Sequence, residues 1–403
     1  MTKEQRLLLK LLAHSITGKS FEGEEDIDWP ALIKESIAQT VSIIAFDSAT
    51  VLKDKIPKEI YTSWFNHTYG SMAINSLVEK SQKELTEILG GRNYPYVILK
   101  GLSAAVYYEK PELRSLGDVD FLIENNKKNE IKELLKENGY DSSNENHICH
   151  IVFTKPKAHL EMHFEIAGIP EGEKGDIIRK YMVDALEKSE IKNISGQAFS
   201  SPVPYHHAII LLLHMQHHIL GEGIGLRHLM DWAYFVNKTY DMPFWEEKVL
   251  PLLKEIGLFE FANVFTNLSV KYFGINSPVW IKETDEGLLS ELIEDILSGG
   301  NFGKKDKKRG KSGMMISDRG KNGTKKGKLY YINKTLVDTT YTLYPISKKH
   351  KILLPFINFY RIVRYFILRL FGKRTSLLSA IPLAEKRKAL YSHLHIFEVK
   401  DYE

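Results

Sequence analysis

The sequence predicts an α+β protein in which an α/β unit lies between largely helical regions, and three observations predict it. Apolar residues recur at helical spacing from the start to about Leu89, short β-prone runs alternate with helical ones over about 91–200, and the helical period returns after Pro202 and Pro204. The expected organisation is a helical lobe at 1–90, the α/β unit at 91–200, a helical domain at 201–298, a basic Gly/Lys-rich tract at 299–328 and a helical region at 329–403. A chain of 403 residues with 43% hydrophobic and 26% charged residues has material for more than one core.

In the first lobe, Tyr61, Trp64, Phe65, Thr68, Met72, Leu77, Leu85, Ile88 and Leu89 approximate an i, i+3, i+4 stripe, punctuated by Pro57 and by Gly90-Gly91. Its aromatic side chains are expected in the core. The texture changes at Tyr94. Tyr96 to Leu99 reads as a strand, Lys100-Gly101 as a break and Leu102 to Tyr108 as a short helix. Strands follow at Asp118 to Ile123, Ile151 to Thr154 and Leu160 to Ile166, with an amphipathic helix at Lys127 to Asn138 stopped by Gly139. Beyond the prolines, Tyr205 to Leu220 and Leu226 to Asn237 form a helical hairpin around the turn Gly221-Glu-Gly-Ile-Gly225.

Charge is distributed unevenly. The stretch from Gly299 to Lys328 holds eleven Lys/Arg against two Asp, a local +9 that leaves −5 on the rest of a chain whose net charge is +4. This argues against a chain that binds nucleic acid over its whole surface. The tract also lacks any aromatic between Phe302 and Tyr330 on which bases could stack. Its polarity predicts a solvated, mobile loop without a ligand, with a phosphate-binding lid or a polyanion contact as the alternatives. Near the C-terminus, Phe356 to Phe371 is a helix with Asn358, Arg361, Arg364, Tyr365 and Arg369 on one arc. Three arginines argue against a membrane span; docking on the protein is the expectation, with peripheral contact to anionic lipid as the alternative. The one cysteine, Cys149, excludes an intramolecular disulfide, and no secretory signal is recognisable, so the expected location is cytoplasmic.

The chemistry-bearing stretch is Leu99-Lys100-Gly101 through Asp118-Val119-Asp120. Two acids one residue apart on a strand share a face and raise each other's pKa, a burden that a hard divalent cation relieves. Solvated acids on an exposed turn are the plain alternative. Gly101 and Ser103 place backbone N–H groups and a hydroxyl where a phosphate can approach, and Arg114 either meets phosphate charge or pairs with Asp118. The run His159-Leu-Glu161-Met-His163-Phe-Glu165 alternates, which sets Leu160, Met162, Phe164 and Ile166 on a core face and His159, Glu161, His163 and Glu165 on a polar one. Glu161 is the expected third acid and Glu165 the fallback.

These residues carry a resemblance. Leu99-Lys-Gly, Leu113-Arg, Asp118-Val-Asp and Leu160-Glu-Met-His163-Phe look like the nucleotidyltransferase superfamily, specifically its large uncharacterised bacterial branch. The likeness continues into His214-Met-Gln-His217, Leu226-Arg-His-Leu-Met-Asp231 and Leu353-Leu-Pro-Phe. It implies a mixed sheet, metal binding by Asp118, Asp120 and Glu161, and nucleotide contacts from Lys100, Gly101, Ser103 and Arg114. Superfamily members usually show Gly-Gly or Gly-Ser directly, whereas Leu102 intervenes here before Ser103. The implied reaction is attack of an acceptor hydroxyl on the α-phosphate of a nucleoside triphosphate such as ATP, with two Mg²⁺ ions, or Mn²⁺ in their place. The acceptor class is a small molecule, a glycan or a peptide. Antibiotic nucleotidylation of the aminoglycoside type and a catalytically idle nucleotide-binding or membrane-surface module are the rival readings.

Among rival sites, His214 with His217 or His218 has helical spacing suited to two zinc ligands, to which His228 or Asp231 would add others. No Glu follows His214 as a zinc hydrolase motif requires, so histidines that pack or hydrogen-bond against the α/β unit are the preferred reading. Arg227 and Asp231, four apart, read as an ordinary surface ion pair unless buried beside the site, and Cys149 as incidental.

Overall fold

The computed structural model describes residues 1–145, 147–317, 346–370 and 378–396, together with scattered positions between 333 and 344. The first lobe is α1 (Lys3–Thr17), α2 (Trp29–Ala38), α3 (Ser42–Ala49) and the 33-residue α4 (Lys58–Gly90). The α/β unit follows as β1 (Tyr96–Ile98), α5 (Leu102–Ala105), β2 (Val119–Ile123), α6 (Lys128–Glu137), β3 (Asp141–Ser143), β4 (His150–Lys155) and β5 (Ala158–His163). Next come α7 (Glu173–Tyr181) and a separate hairpin, β6 (Glu190–Ile194) with β7 (Gln197–Ser201). The later helices are α8 (Pro204–Leu220), α9 (Leu226–Thr239), α10 (Leu250–Glu255), α11 (Phe259–Phe273), α12 (Glu286–Gly299) and α13 (Arg309–Ser317). The described C-terminal elements are α14 (Ile346–Lys349), α15 (Leu354–Leu370) and α16 (Ile381–Ser392).

The five-stranded sheet has the order β1-β2-β5-β4-β3 and is mixed: β2 and β5 run parallel, while the other pairs are antiparallel. Strand alternation assigns its two faces. Phe121, Ile123, Leu160 and Met162 turn toward Leu85 and Leu89 of α4 and Ile131 and Leu135 of α6 in one core. The opposite face contributes Val97, Leu99 and Leu122 to a second, larger core built with the helical regions, at whose centre lies α8. Twelve of the seventeen residues of α8 are buried, among them His206, His207 and Gln216. Asp120 shares the face of Leu122, so the acid strand points toward α8 and α9.

The long α4 spans both cores, with Trp64 buried in one and Leu85 in the other. Phe65, Tyr69 and Leu77 are exposed, so the expected aromatic core of this lobe holds for Trp64 but not for Phe65. A helix 33 residues long presents more circumference than two cores can cover.

Gly299 to Ser317 also departs from the expectation of a solvated tract. Arg309 is buried and donates through Nη1 and Nη2 to the Asp295 carboxylate of α12 at 3.0 and 2.6 Å, and Tyr391 OH donates to Asp295 Oδ2 at 2.7 Å. Arg387 of α16 donates to the carbonyls of Arg309 at 3.1 Å and Ile219 at 2.8 Å. Two arginines direct most of their donors to one carboxylate and to main-chain carbonyls near helix ends, which holds a composition that otherwise stays in water. The rest of the basic tract, 318–328, lies outside the described residues.

On α15, Arg361 donates to Leu336 O at 2.8 Å and Asn358 is bonded to Thr340. Phe356 and Phe359 are 72% and 70% exposed. Asn358 and Arg361 of the polar arc therefore face described chain, whereas Arg364 and these apolar side chains are exposed. Among the described residues, no helix is long and apolar enough to cross a membrane.

Candidate functional site

The site is built on the register of β2 against β5, where Asp120 stands opposite Glu161. Asp118 precedes β2 by one residue and has the parity of Asp120. Gly101, between β1 and α5, has φ +63°, ψ −118°, a conformation only glycine adopts readily, and this turns the chain beside the backbone of Asp118. The turn also directs Lys100 onto the acids. Its Nζ donates to Asp120 Oδ1 at 2.7 Å, and His163 Nε2, two residues beyond Glu161 along β5, donates to the same oxygen at 3.0 Å. His163 Nε2 also lies 3.6 Å from Glu161 Oε2.

These contacts set the protonation states. Burial alone would raise the Asp120 carboxyl, but Lys100 and His163 hold it far below the usual range. Burial would lower His163, yet its hydrogen bonds to Asp120 and Glu161 outweigh that and raise it, favouring the imidazolium. Glu161 is lowered chiefly by His163. Asp118 is raised, first by the charge of Asp120 and then by burial. Three carboxylates thus face two cations, and among the described residues Asp118 has no ion-pair partner. Oxygen and nitrogen donors of Asp118, His159 and Glu161 lie within 4.8 Å of one another, as do those of His150, Glu161 and His163. A cleft of about 400 Å³ lies at the start of β2, lined by Gly117 and His159 and by Ile74, Leu77 and Val78 of α4, and none of the three acids lines it.

Other residues singled out in the sequence sit elsewhere. Ser103 is fully buried and its hydroxyl donates to Ile98 O, which removes it from any phosphate. Arg114 forms a buried bidentate pair with Asp231 of α9, Nε to Oδ1 at 2.7 Å and Nη2 to Oδ2 at 2.8 Å, and Tyr108 OH donates to the same carboxylate. The expected Arg227–Asp231 surface pair is therefore replaced by one that joins the α/β unit to α9. Glu165 lies past the end of β5 and is held by Arg179 of α7. His159 is partly exposed, with Nε2 3.8 Å from Glu161 Oε1.

The α8 histidines divide. His206 and His207 are buried, with His206 Nε2 3.2 Å from Tyr181 O and His207 Nδ1 3.3 Å from Tyr107 OH. His214 and His218 stack near His228 of α9, at ring separations of 5.1 and 5.5 Å, and donors of the three lie within 4.8 Å of one another. His217 is exposed and not of that trio. Lys100 Nζ lies 3.5 Å from His214 Nδ1, so the imidazoles are continuous with the acids.

Residues 25–274 match the model of a family described as an uncharacterised nucleotidyltransferase. The chain belongs to this family. The match to the family runs from the approach to α2 to the end of α11, so it includes the acid strands and the imidazole helices, and it stops before α12. No curated protein matches the chain. Family membership makes it a nucleotidyltransferase at the coarse level. The sequence reading takes Arg227 as a surface partner unless buried beside the site and His228 as a further zinc ligand, and the structure brings both next to the His214 and His218 imidazoles. A usable signal existed: a cation in the first turn of a helix opposes the helix dipole, and such local misfits tend to be functional.

Proposed function

We propose that the chain transfers a nucleoside monophosphate from a nucleoside triphosphate to an acceptor hydroxyl or similar group, with pyrophosphate departing. The observation that carries the reading is the pairing of Asp120 with Glu161 across parallel strands, with Asp118 on the same face. The donor set is hard oxygen with a carboxyl, Asp118, pushed toward protonation by its neighbour, and this chemistry fits Mg²⁺ or Mn²⁺. Asp118, Asp120 and Glu161 are the residues that would hold two such ions. When bound, the ions neutralise charge on the attacking and leaving oxygens of an in-line displacement.

The chain's own residues do the rest. His163 fixes the Asp120 carboxylate by donating Nε2–H, and Lys100 holds the same carboxylate ionised while bringing an ammonium to the side where phosphate charge accumulates. Glu161 is the less buried acid of the strand pair and is kept ionised by His163, so it orients the acceptor hydroxyl and takes its proton. The cleft beside Gly117 and His159, with its apolar wall from α4, suits a nucleobase or the body of the acceptor, a small molecule, glycan or peptide.

The test measures binding of a non-hydrolysable triphosphate analogue and pyrophosphate release from each of the four nucleotides, with and without Mg²⁺. Metal-dependent binding that Asp120→Asn abolishes supports the reading. Wild-type behaviour of that variant overturns it.

A further inference from the structure

Beside the acids, where His163 Nδ1 is itself buried without a partner, two further buried N–H donors on α9 have no acceptor. Arg227 Nε and His228 Nε2 both lack a hydrogen-bond partner among the described residues, and His228 is 2% exposed. The tautomer of His228 follows from its other nitrogen: Gly225 N–H donates to Nδ1 at 3.4 Å, so in the neutral ring Nε2 carries the proton. His214 repeats the pattern, because the Lys100 ammonium approaches its Nδ1 at 3.5 Å and leaves its proton on Nε2. Burial, with the neighbouring cations, lowers His214 and His228 well below the ordinary imidazole value, which keeps both rings neutral.

This arrangement offers N–H groups rather than lone pairs. Zinc would need Nε2 deprotonated on two imidazoles whose Nδ1 atoms already accept hydrogen bonds, and it would sit beside Lys100 and Arg227. A phosphate oxygen needs what is present. Lys304 and Arg114 add positive charge around Arg227 and Asp118 and Asp231 oppose it, the charge of Asp231 being already matched by Arg114. The residues also project from the first turn of α9, where the helix dipole favours an anion.

The fold holds this unsatisfied cluster in place. A Cβ on Gly225 would meet backbone atoms of Asn301 at 2.8 and 2.9 Å, so only glycine allows the turn before α9 to press against the loop after α12. That contact seats Phe302 over His218 and His228, with ring centroids 4.7 and 5.2 Å away, and 5.8 Å from the Arg227 guanidinium. Phe302 itself has φ 54°, ψ 39°, a left-handed conformation unfavourable for a bulky residue.

We infer that Arg227 and His228, under the roof of Phe302, form an oxyanion subsite that takes a phosphate group. The inference deepens the nucleotidyltransferase reading, since Lys100 joins this subsite to Asp120. The phosphate has two conceivable sources, the β- and γ-phosphates of the nucleotide or a phosphate on the acceptor, and both present the same oxygens.

The test is calorimetric titration of the full chain with inorganic tripolyphosphate in the presence of a chelator. Wild type binds, Arg227→Gln binds about tenfold more weakly or worse, and Asp120→Asn binds at least as tightly as wild type. Phe302→Ala, which removes the roof and leaves the guanidinium in place, serves as the second variant should Arg227→Gln fold poorly, and it too weakens binding. Equal binding by wild type and folded Arg227→Gln, or stoichiometric zinc lost in His228→Ala, overturns the inference. Competition then distinguishes the source: a nucleoside triphosphate that displaces tripolyphosphate identifies the nucleotide, and one that leaves it bound identifies a phosphorylated acceptor. Tripolyphosphate binding that depends on Arg227 in a protein without nucleotidyl transfer refutes the transferase reading alone.

Discussion

The two sides of the site solve opposite problems. On the sheet, Asp120 is crowded with partners, an ammonium and an imidazole on one oxygen. On α9, Arg227 and His228 are buried with donors unanswered. The first cluster compensates most of its own charge, with His163 Nδ1 its one unpartnered buried nitrogen among the described residues, whereas the second is held by its surroundings, through the Gly225–Asn301 contact and the Arg309–Asp295 pair behind it. Self-satisfied groups stabilise a fold; unsatisfied ones destabilise it and persist where they await a ligand. On the proposed reading, the difference separates the residues that position chemistry from those that receive a substrate.

The sharpest way to break this comparison lies within the acids. Glu161→Gln is expected to lower transfer about a thousandfold, equivalent to several kcal/mol of transition-state stabilisation, while Glu165→Gln stays within about threefold. Pyrophosphate release measures both. The contrast follows from register, because Glu161 faces Asp120 and Glu165 is turned to Arg179 beyond the strand. Equal losses would return the two acids to equivalence.

Next in size is the bond joining the two sides. Arg114 and Asp231 are 4% and 7% exposed as side chains, and Arg114→Ala leaves a buried carboxylate without its partner. A loss of about 3–5 kcal/mol in unfolding free energy is expected in urea titration. A raised nucleotide KM at unchanged stability would instead assign Arg114 to the phosphates.

Much of this was legible in the chain. Asp118, Asp120 and Glu161 announce themselves because strand alternation is strictly local, and the sheet places them as alternation requires. The helical hairpin around Gly221 to Gly225 was legible for the same reason. What escaped depends on long-range pairing. Arg114 finds Asp231 across 117 positions and Arg387 finds Arg309 across 78, and no local pattern encodes such choices. The basic tract misled because composition reports average solvation, while a single buried acid, Asp295, suffices to hold Arg309. Ser103 misled because a hydroxyl in a short helix can turn back onto a strand carbonyl.

A smaller effect concerns pH. Burial pushes His207 and His218 down to about 3, and His214 and His228 lie well below their ordinary value. All four are neutral when folded and take up protons when unfolded below about pH 6.5, so their contribution is complete above that value and is lost as pH falls toward 3. Each accounts for at most about 1.4 kcal/mol per pH unit in that window. His163 works the other way: its raised pKa gives stability present below about 6.5 and lost as pH rises through the folded value. Urea midpoints at pH 7, 6 and 5 should therefore fall on the acid side, and His207→Gln should flatten the slope by about one proton. An unchanged slope would mean that His207 is already charged in the folded protein.

The smallest effect tests whether the donors at the start of β4 belong to the site. Cys149 lies near its rim, with Sγ 3.4 Å from His147 Nδ1, and His150 stacks 5.1 Å from His163. Proximity suggests a nucleophile or a soft metal ligand. The electrostatics oppose both: burial, then the charges of Glu165 and Glu161, push the thiol up to about 11, and His150 is pushed down to about 4 chiefly by burial, so neither imidazolium nor thiolate is present at neutral pH. A thiolate fraction of about one in ten thousand at pH 7 cannot sustain turnover, and hard carboxylates rather than a protonated thiol suit the expected ion. Cys149→Ser should therefore keep activity within about twofold and leave alkylation by iodoacetamide near neutral pH as slow as for an unactivated thiol. Rapid alkylation, suppressed by a soft metal, would move the chemistry from the β2–β5 acids to the edge of the sheet.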